Sequence, residues 1–170
     1  MELICSKVSL SHQEGGVKGQ AGELCNRKVV TTTPDMSIQE AARLMRDNHV
    51  GCLIVIKEND GQVEPAGILT DRDIVIELIA KDVPIEDVSV GDVMSFAVLR
   101  VTESESVFET AQRMRSRGVR RVPVVNTIGA LVGVLALDDI LSLLGEELSL
   151  LANLTQREAE QETKKRSLPG

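Results

Sequence analysis

Displaced by 69 positions, so that Val29 falls on Val98, the chain lies on top of itself. Val29–Thr33 meets Val98–Thr102, Ser37–Glu40 meets Ser106–Glu109, and Ala41–Arg46 meets Thr110–Arg115. Val50 then meets Val119 at the head of a second apolar run, Val122–Val125. Past that run the second copy is three residues shorter, and Gly67–Asp73 meets Gly133–Asp139. A duplication at this period means two similar units stacked to share a core. The copies fill about residues 24–82 and 90–148. Each has roughly 60 residues, and the whole chain carries two Phe and no Trp or Tyr. Without large aromatics, disulfides or metal, such a unit buries too little apolar surface to stand alone. The expectation is two copies packed sheet to sheet.

Each copy reads strand, helix, strand, turn, strand, helix. The β-branched run 29–33 is a short strand ended by Pro34. Ser37-x-x-Glu40 and Ser106-x-x-Glu109 have capping-box spacing. Apolar residues follow at helical intervals, Ile38, Ala41, Ala42 and Met45 in one copy and Val107, Ala111 and Met114 in the other. Leu53–Ile56 is apolar at consecutive positions, as in a strand covered on both faces. Asn59-Asp60-Gly61 marks a hairpin leading to a strand that ends near Leu69. Asp71–Lys81 reads as a helix stopped before Pro84. The fold class is therefore α/β (α+β), two β-α-β-β-α repeats. The chain divides into a polar, mobile segment 1–21, repeats over 22–88 and 89–148, and a helix and tail over 149–170. Over 138–160, Ile140, Leu141, Leu144, Leu148, Leu151 and Leu154 form a stripe that outruns the repeat and needs a partner surface. The end, Thr163–Gly170, looks frayed.

Charge and cysteines narrow the function. With 26 acidic against 19 basic residues the net charge is -7, which disfavours nucleic acid and anionic membrane surfaces as partners. No apolar run nears the roughly 18 residues of a membrane span. The start lacks the pattern of a secretion signal. Cys5, Cys25 and Cys52 are an odd, widely spaced set, which points to a reducing cytoplasm. His49 and Cys52 suggest a metal pair only in isolation, since the chain has two histidines and no second ligand cluster, and the expected Cys52 is a small buried thiol. His12 and the cysteines have no partner for general-base or nucleophilic chemistry. A binding module or a scaffold is expected, with no catalytic residues.

Gly67-Ile68-Leu69-Thr70-Asp71-Arg72-Asp73 and Arg120-Arg121-Val122-Pro123-Val124-Val125, in this order at the ends of these elements, carry a resemblance. The chain resembles the cystathionine-β-synthase (CBS) domain pair, or Bateman module, over about residues 22–148. The resemblance implies a regulatory pseudo-twofold pair with two clefts that bind AMP, ADP, ATP, NAD or S-adenosyl-methionine without a required metal. It also implies pairing into a homodimer and an unidentified regulated protein. In the main cleft it implies Ile68, Thr70, Asp73, Phe96, Ala97, Val98, Arg120, Arg121 and Pro123. There Thr70 faces phosphate or ribose, Asp73 grips ribose hydroxyls, and the two arginines hold phosphate. In a second, weaker cleft it implies Lys28, Val29, Val30, Cys52, Val134 and Asp139. In that cleft Ala136 replaces the threonine and Gly51-Cys52 replace the arginines. Two plainer readings stay open: Thr70-x-x-Asp73 also has the spacing of a helix cap, and Arg113, Arg115, Arg117, Arg120 and Arg121 also read as a solvated basic face. Five arginines within nine positions nevertheless reverse the sign of an acidic chain, which suits an anionic ligand or an acidic partner helix.

Overall fold

The computed structural model describes residues 19–59, 61–96 and 98–166. The segment 1–18, Asp60, Ala97 and residues 167–170 lie outside them. In chain order the elements are α1 (Ala21–Leu24), β1 (Thr31–Thr32), α2 (Ile38–Asp47), β2 (Cys52–Asn59), β3 (Gln62–Thr70) and α3 (Asp71–Glu77). There follow α4 (Val90–Val93), β4 (Val101–Thr102), α5 (Val107–Arg117), β5 (Arg121–Val125), β6 (Leu131–Ala136) and α6 (Leu137–Arg166). Two three-stranded sheets form, ordered β1-β2-β3 and β4-β5-β6. In each, the first strand runs parallel to the second and the second pairs antiparallel with the third.

The capping box at α2 forms as its spacing predicts. Ser37 Oγ accepts from Glu40 N at 3.2 Å, and Glu40 Oε2 accepts from Ser37 N at 3.3 Å. Ile38, Ala41 and Met45 then face inward. The box expected at Ser106-x-x-Glu109 does not form. Ser106 Oγ accepts instead from Phe108 N at 3.2 Å, one residue short of the box, and among the described residues Glu109 returns no reciprocal bond. Glu105 serves this helix instead, accepting from Thr110 Oγ1 and from Arg113 Nη1. Two further elements are shorter than expected. The strand over 29–33 shrinks to β1, which leaves Val29 and Val30 free to border a cleft. The helix over Asp71–Lys81 breaks at Leu78, which is buried, and ends in a single 3-10 turn.

Each sheet covers a separate core, and the leading segment of each repeat packs on the other one. Ala21 and Cys25 are buried with Val101, Val107, Met114, Val122 and Leu135. Val90 and Met94 are buried with Ile38, Ala41, Leu53, Val55 and Leu69. Backbone bonds fasten both exchanges. Asn26 and Val134 trade N–H···O bonds of 2.9 Å each, and Ile68 and Ser95 do so at 3.1 and 2.9 Å. Close passage explains a glycine in each repeat. A Cβ on Gly67 would lie 2.6 Å from Met94 Sδ, and one on Gly133 would lie 2.6 Å from Cys25 Sγ and 2.8 Å from Asn26 O. Of the terminal stripe, Ile140 and Leu144 join the second core, whereas Leu141, Leu148, Leu151 and Leu154 are exposed.

Candidate functional site

Two clefts open between the repeats, one on either side of a shared wall. The larger encloses about 420 Å³ and the smaller about 250 Å³. The first size lies within the range of small-molecule sites.

The larger cleft is where β3 ends and α3 begins. Asp73 Oδ2 accepts from Thr70 N at 2.9 Å and from Thr70 Oγ1 at 2.7 Å, and Thr70 Oγ1 accepts from Asp73 N at 3.2 Å. The helix-cap reading of these two residues therefore describes a bond set that exists. It occupies one carboxylate oxygen; among the described residues, Asp73 Oδ1 makes no hydrogen bond. Gly118, Val119, Arg120 and Arg121 of the second repeat line the same cleft, together with Asp71, Ser95, Val98 and Leu99. Six of the residues expected here meet: Ile68, Thr70, Asp73, Val98, Arg120 and Arg121. Two do not. Pro123 is buried in β5 opposite Val134, because the strand has turned inward two residues past Arg121. Phe96 is 67% exposed and lies off the wall, displaced by the Ser95–Ile68 bridge that holds its neighbour. Ala97 lies outside the described residues. Sequence reasoning missed Arg72, which adds a third guanidinium to this cleft, although it sits inside the Gly67–Asp73 motif.

The smaller cleft gathers all six residues expected of it: Lys28, Val29, Val30, Cys52, Val134 and Asp139. Asp139 Oδ2 accepts from Ala136 N at 2.9 Å. This is the Thr70–Asp73 arrangement without its hydroxyl. His49 also lines this cleft. Its φ is +53°, and its counterpart in the second copy, Gly118, has φ +65°. Both residues turn the chain out of a helix, so the position of His49 has a backbone reason. Among the described residues, no group of three or more His, Cys, Asp and Glu is placed to hold a metal ion.

The wall between the clefts departs from expectation. Gly51, Cys52 and Arg121 border both of them, so Arg121 does not belong to the larger cleft alone. Cys52 and Arg121 are the first residues of β2 and β5, equivalent positions in the duplication, and the two strand starts meet where the repeats do. Arg120 lies 3.8 Å from Asp138. The Arg121 guanidinium makes no hydrogen bond or ion pair among the described residues. Cys52 is half-buried, and burial pushes its thiol up to about 11 despite the nearby Arg121 guanidinium, with Asp73 and Asp71 adding to the rise. The thiol is therefore neutral near pH 7 and brings no charge to the wall.

Comparison with known proteins agrees with the duplicated fold. The family model described as CBS domain matches twice, at residues 21–80 and 90–146. An uncharacterized protein of Methanopyrus kandleri is 36% identical over 120 residues, which are 71% of this chain and 60% of that protein. The chain thus spans less than two thirds of that relative's length. The crystal structure of a CBS-domain containing protein from Agrobacterium tumefaciens superposes with a TM-score of 0.65 at 28% identity, covering 78% of this chain and 98% of that one. A hexameric CBS-CP12 protein from bloom-forming cyanobacteria gives 0.64 at 28% identity, covering 72% of this chain and 69% of that one.

Proposed function

Since the chain belongs to the CBS domain family, with both repeats matched, we propose that it is a sensor of an adenine-containing ligand, one of AMP, ADP, ATP, NAD or S-adenosyl-methionine. CBS-domain pairs are generally regulatory. Ligand binding between the repeats, without catalysis, is the role this chain's residues support. The observation that carries the reading is the larger cleft itself. One wall offers a carboxylate with a free oxygen, Asp73 Oδ1, suited to the paired hydroxyls of a ribose. The facing wall offers the planar donor forks of Arg120 and Arg121, which stay charged and suit phosphate. Ile68, Val98 and Val119 supply apolar flanks for a flat base.

Thermal unfolding in the presence of each of the five ligands tests the reading. At about 100 times its Kd, a ligand adds roughly 2.7 kcal/mol to stability. For a chain of this size that raises Tm by about 5–10 °C. No shift with any of the five at millimolar concentration removes the sensor reading.

A second reading is favoured by one observation: α6 leaves Leu141, Leu148, Leu150, Leu151 and Leu154 each more than half exposed. In this reading the chain is a homodimeric scaffold that meets a regulated protein through its helices, its clefts being unoccupied. The hexameric state of the cyanobacterial relative supports assembly. Light scattering that finds an 18.4 kDa particle at micromolar concentration counts against both homodimer and scaffold. Among the described residues, no helix is long and apolar enough to cross a membrane. A cytoplasmic location and the absence of nucleic acid among the partners remain part of this proposal, resting on cysteine usage and net charge.

A further inference from the structure

The duplication makes the two clefts near-copies, but their shared wall is asymmetric. At equivalent positions stand Cys52, a neutral half-buried thiol, and Arg121, an exposed guanidinium bordering both clefts. The larger cleft has two more arginines, Arg72 and Arg120. Among the described residues, the smaller cleft has Lys28 and Arg121 as its lysine and arginine complement. An arginine fork turned toward a phosphate on one side cannot make the same bidentate contact on the other. Among the described residues Arg121 has no ion pair such as Arg120 makes with Asp138, and carboxylates stand in both clefts, Asp71 and Asp73 in the larger and Asp139 in the smaller.

We infer that Arg121 is one phosphate-binding group shared by two clefts, so that a phosphorylated ligand in either cleft weakens binding of a second in the other. The inference rests on the sensor reading above and adds to it a rule of occupancy. Filling the larger cleft draws the guanidinium across and leaves the smaller cleft with Lys28 and Asp139. The coupling is reciprocal, as linkage requires. The chain would then register ligand over two separated concentration ranges, although its clefts descend from one repeat.

Titration calorimetry with ATP on the full chain tests the sharing. Arg121→Gln lies at an exposed position and leaves both cores intact. In the wild type the second step already proceeds without the shared guanidinium, so Arg121→Gln should weaken the first binding step and leave the second within about twofold. Val98→Trp plugs the larger cleft without changing charge. In that variant the smaller cleft should bind ATP about fivefold or more tightly than it does in the wild type with its neighbour filled, the low end of usual coupling factors. The gain should vanish in Val98→Trp/Arg121→Gln. If Val98→Trp shows no gain, or the gain survives without Arg121, the sharing is overturned while the sensor reading stands. If ATP binds the wild type at one cleft or none, sharing falls. If AMP, ADP, NAD and S-adenosyl-methionine fail as well, the sensor reading falls with it.

Discussion

Replacing Asp73 by alanine separates two tasks that the structure assigns to one side chain. Its Oδ2 accepts from Thr70 N and Thr70 Oγ1 at 2.9 and 2.7 Å, which closes half of a capping box. Truncation leaves the other half, because Thr70 Oγ1 can still accept from Asp73 N at 3.2 Å. The freed Thr70 N–H borders a cleft that water can enter. The cost to the ligand-free protein is therefore at the low end for a lost cap, about 0.5–1 kcal/mol, or roughly 1–4 °C in Tm. For ligand the expected loss is larger. Charge-assisted hydrogen bonds from ribose hydroxyls to Oδ1 contribute about 1.5–3 kcal/mol, a roughly 10- to 150-fold rise in Kd. Removing a negative charge from a site that receives phosphate acts the other way, by about 0.5 kcal/mol at ~8 Å through water, too little to reverse the sign. Calorimetric titration with the ligand that gives the largest thermal shift, beside unfolding of the ligand-free protein, measures the two effects apart. Asp73→Asn keeps an acceptor for Thr70 N and should restore Tm without restoring affinity. A fall in Tm with Kd unchanged within twofold would refute the ribose assignment and leave Asp73 as a helix cap.

Two further outcomes rest on local packing and titration. Gly133→Ala drives a Cβ into Cys25 Sγ and Asn26 O at 2.6 and 2.8 Å and strains the paired Asn26–Val134 bonds. It should cost about 2–4 kcal/mol, seen as a Tm drop of roughly 5–15 °C, whereas Gly145→Ala, with nothing within 4 Å, should gain about 0.5–1 kcal/mol; shifts of the same sign would contradict the close-approach account. Cys52, raised from 9.0 to about 11, should react with iodoacetamide about a hundredfold more slowly than an ordinary thiol near pH 8. Because the thiolate population grows until pH passes the raised value, the rate mapped to its peptide should climb tenfold per pH unit through pH 9.5; a plateau beginning at 9 would show the burial to be ineffective.

The elements that sequence made legible are those whose signal is local. α2 follows from Ser37, Glu40 and the interval Ile38, Ala41, Met45, and the clefts follow from two motifs at strand ends. The failures come from geometry between repeats. Four-residue helices such as α1 and α4 are too short to show a period, so their exchange between cores was hidden. A trace was present in Ser89-x-x-Asp92, whose side chains form a capping box. Phe96 sits beside a motif in the chain and Pro123 within one, but a bridge holds the neighbour of the first and the inward run of β5 carries the second off the wall. Sequence places Arg121 at a strand start and says nothing of what lies behind that strand, so its second cleft is invisible there. Ala42, placed by periodicity on the inner face, is exposed, since α2 covers its sheet with a narrower stripe than the pattern suggests.

The exchange of α1 and α4 also sets an order of events during synthesis. Ala21 and Cys25 leave the ribosome early, yet the surface that buries them includes Leu135 of β6, more than a hundred residues later. The first core, in turn, closes only when Val90 and Met94 arrive. A growing chain therefore cannot finish its first half and then begin the second. It carries an undocked N-terminal segment until β6 emerges. Such long-range closures slow folding and prolong exposure of apolar surface. A chain released before β6 would lack the partner of its own first helix, so truncated products should be recognisable to proteases by that exposed end.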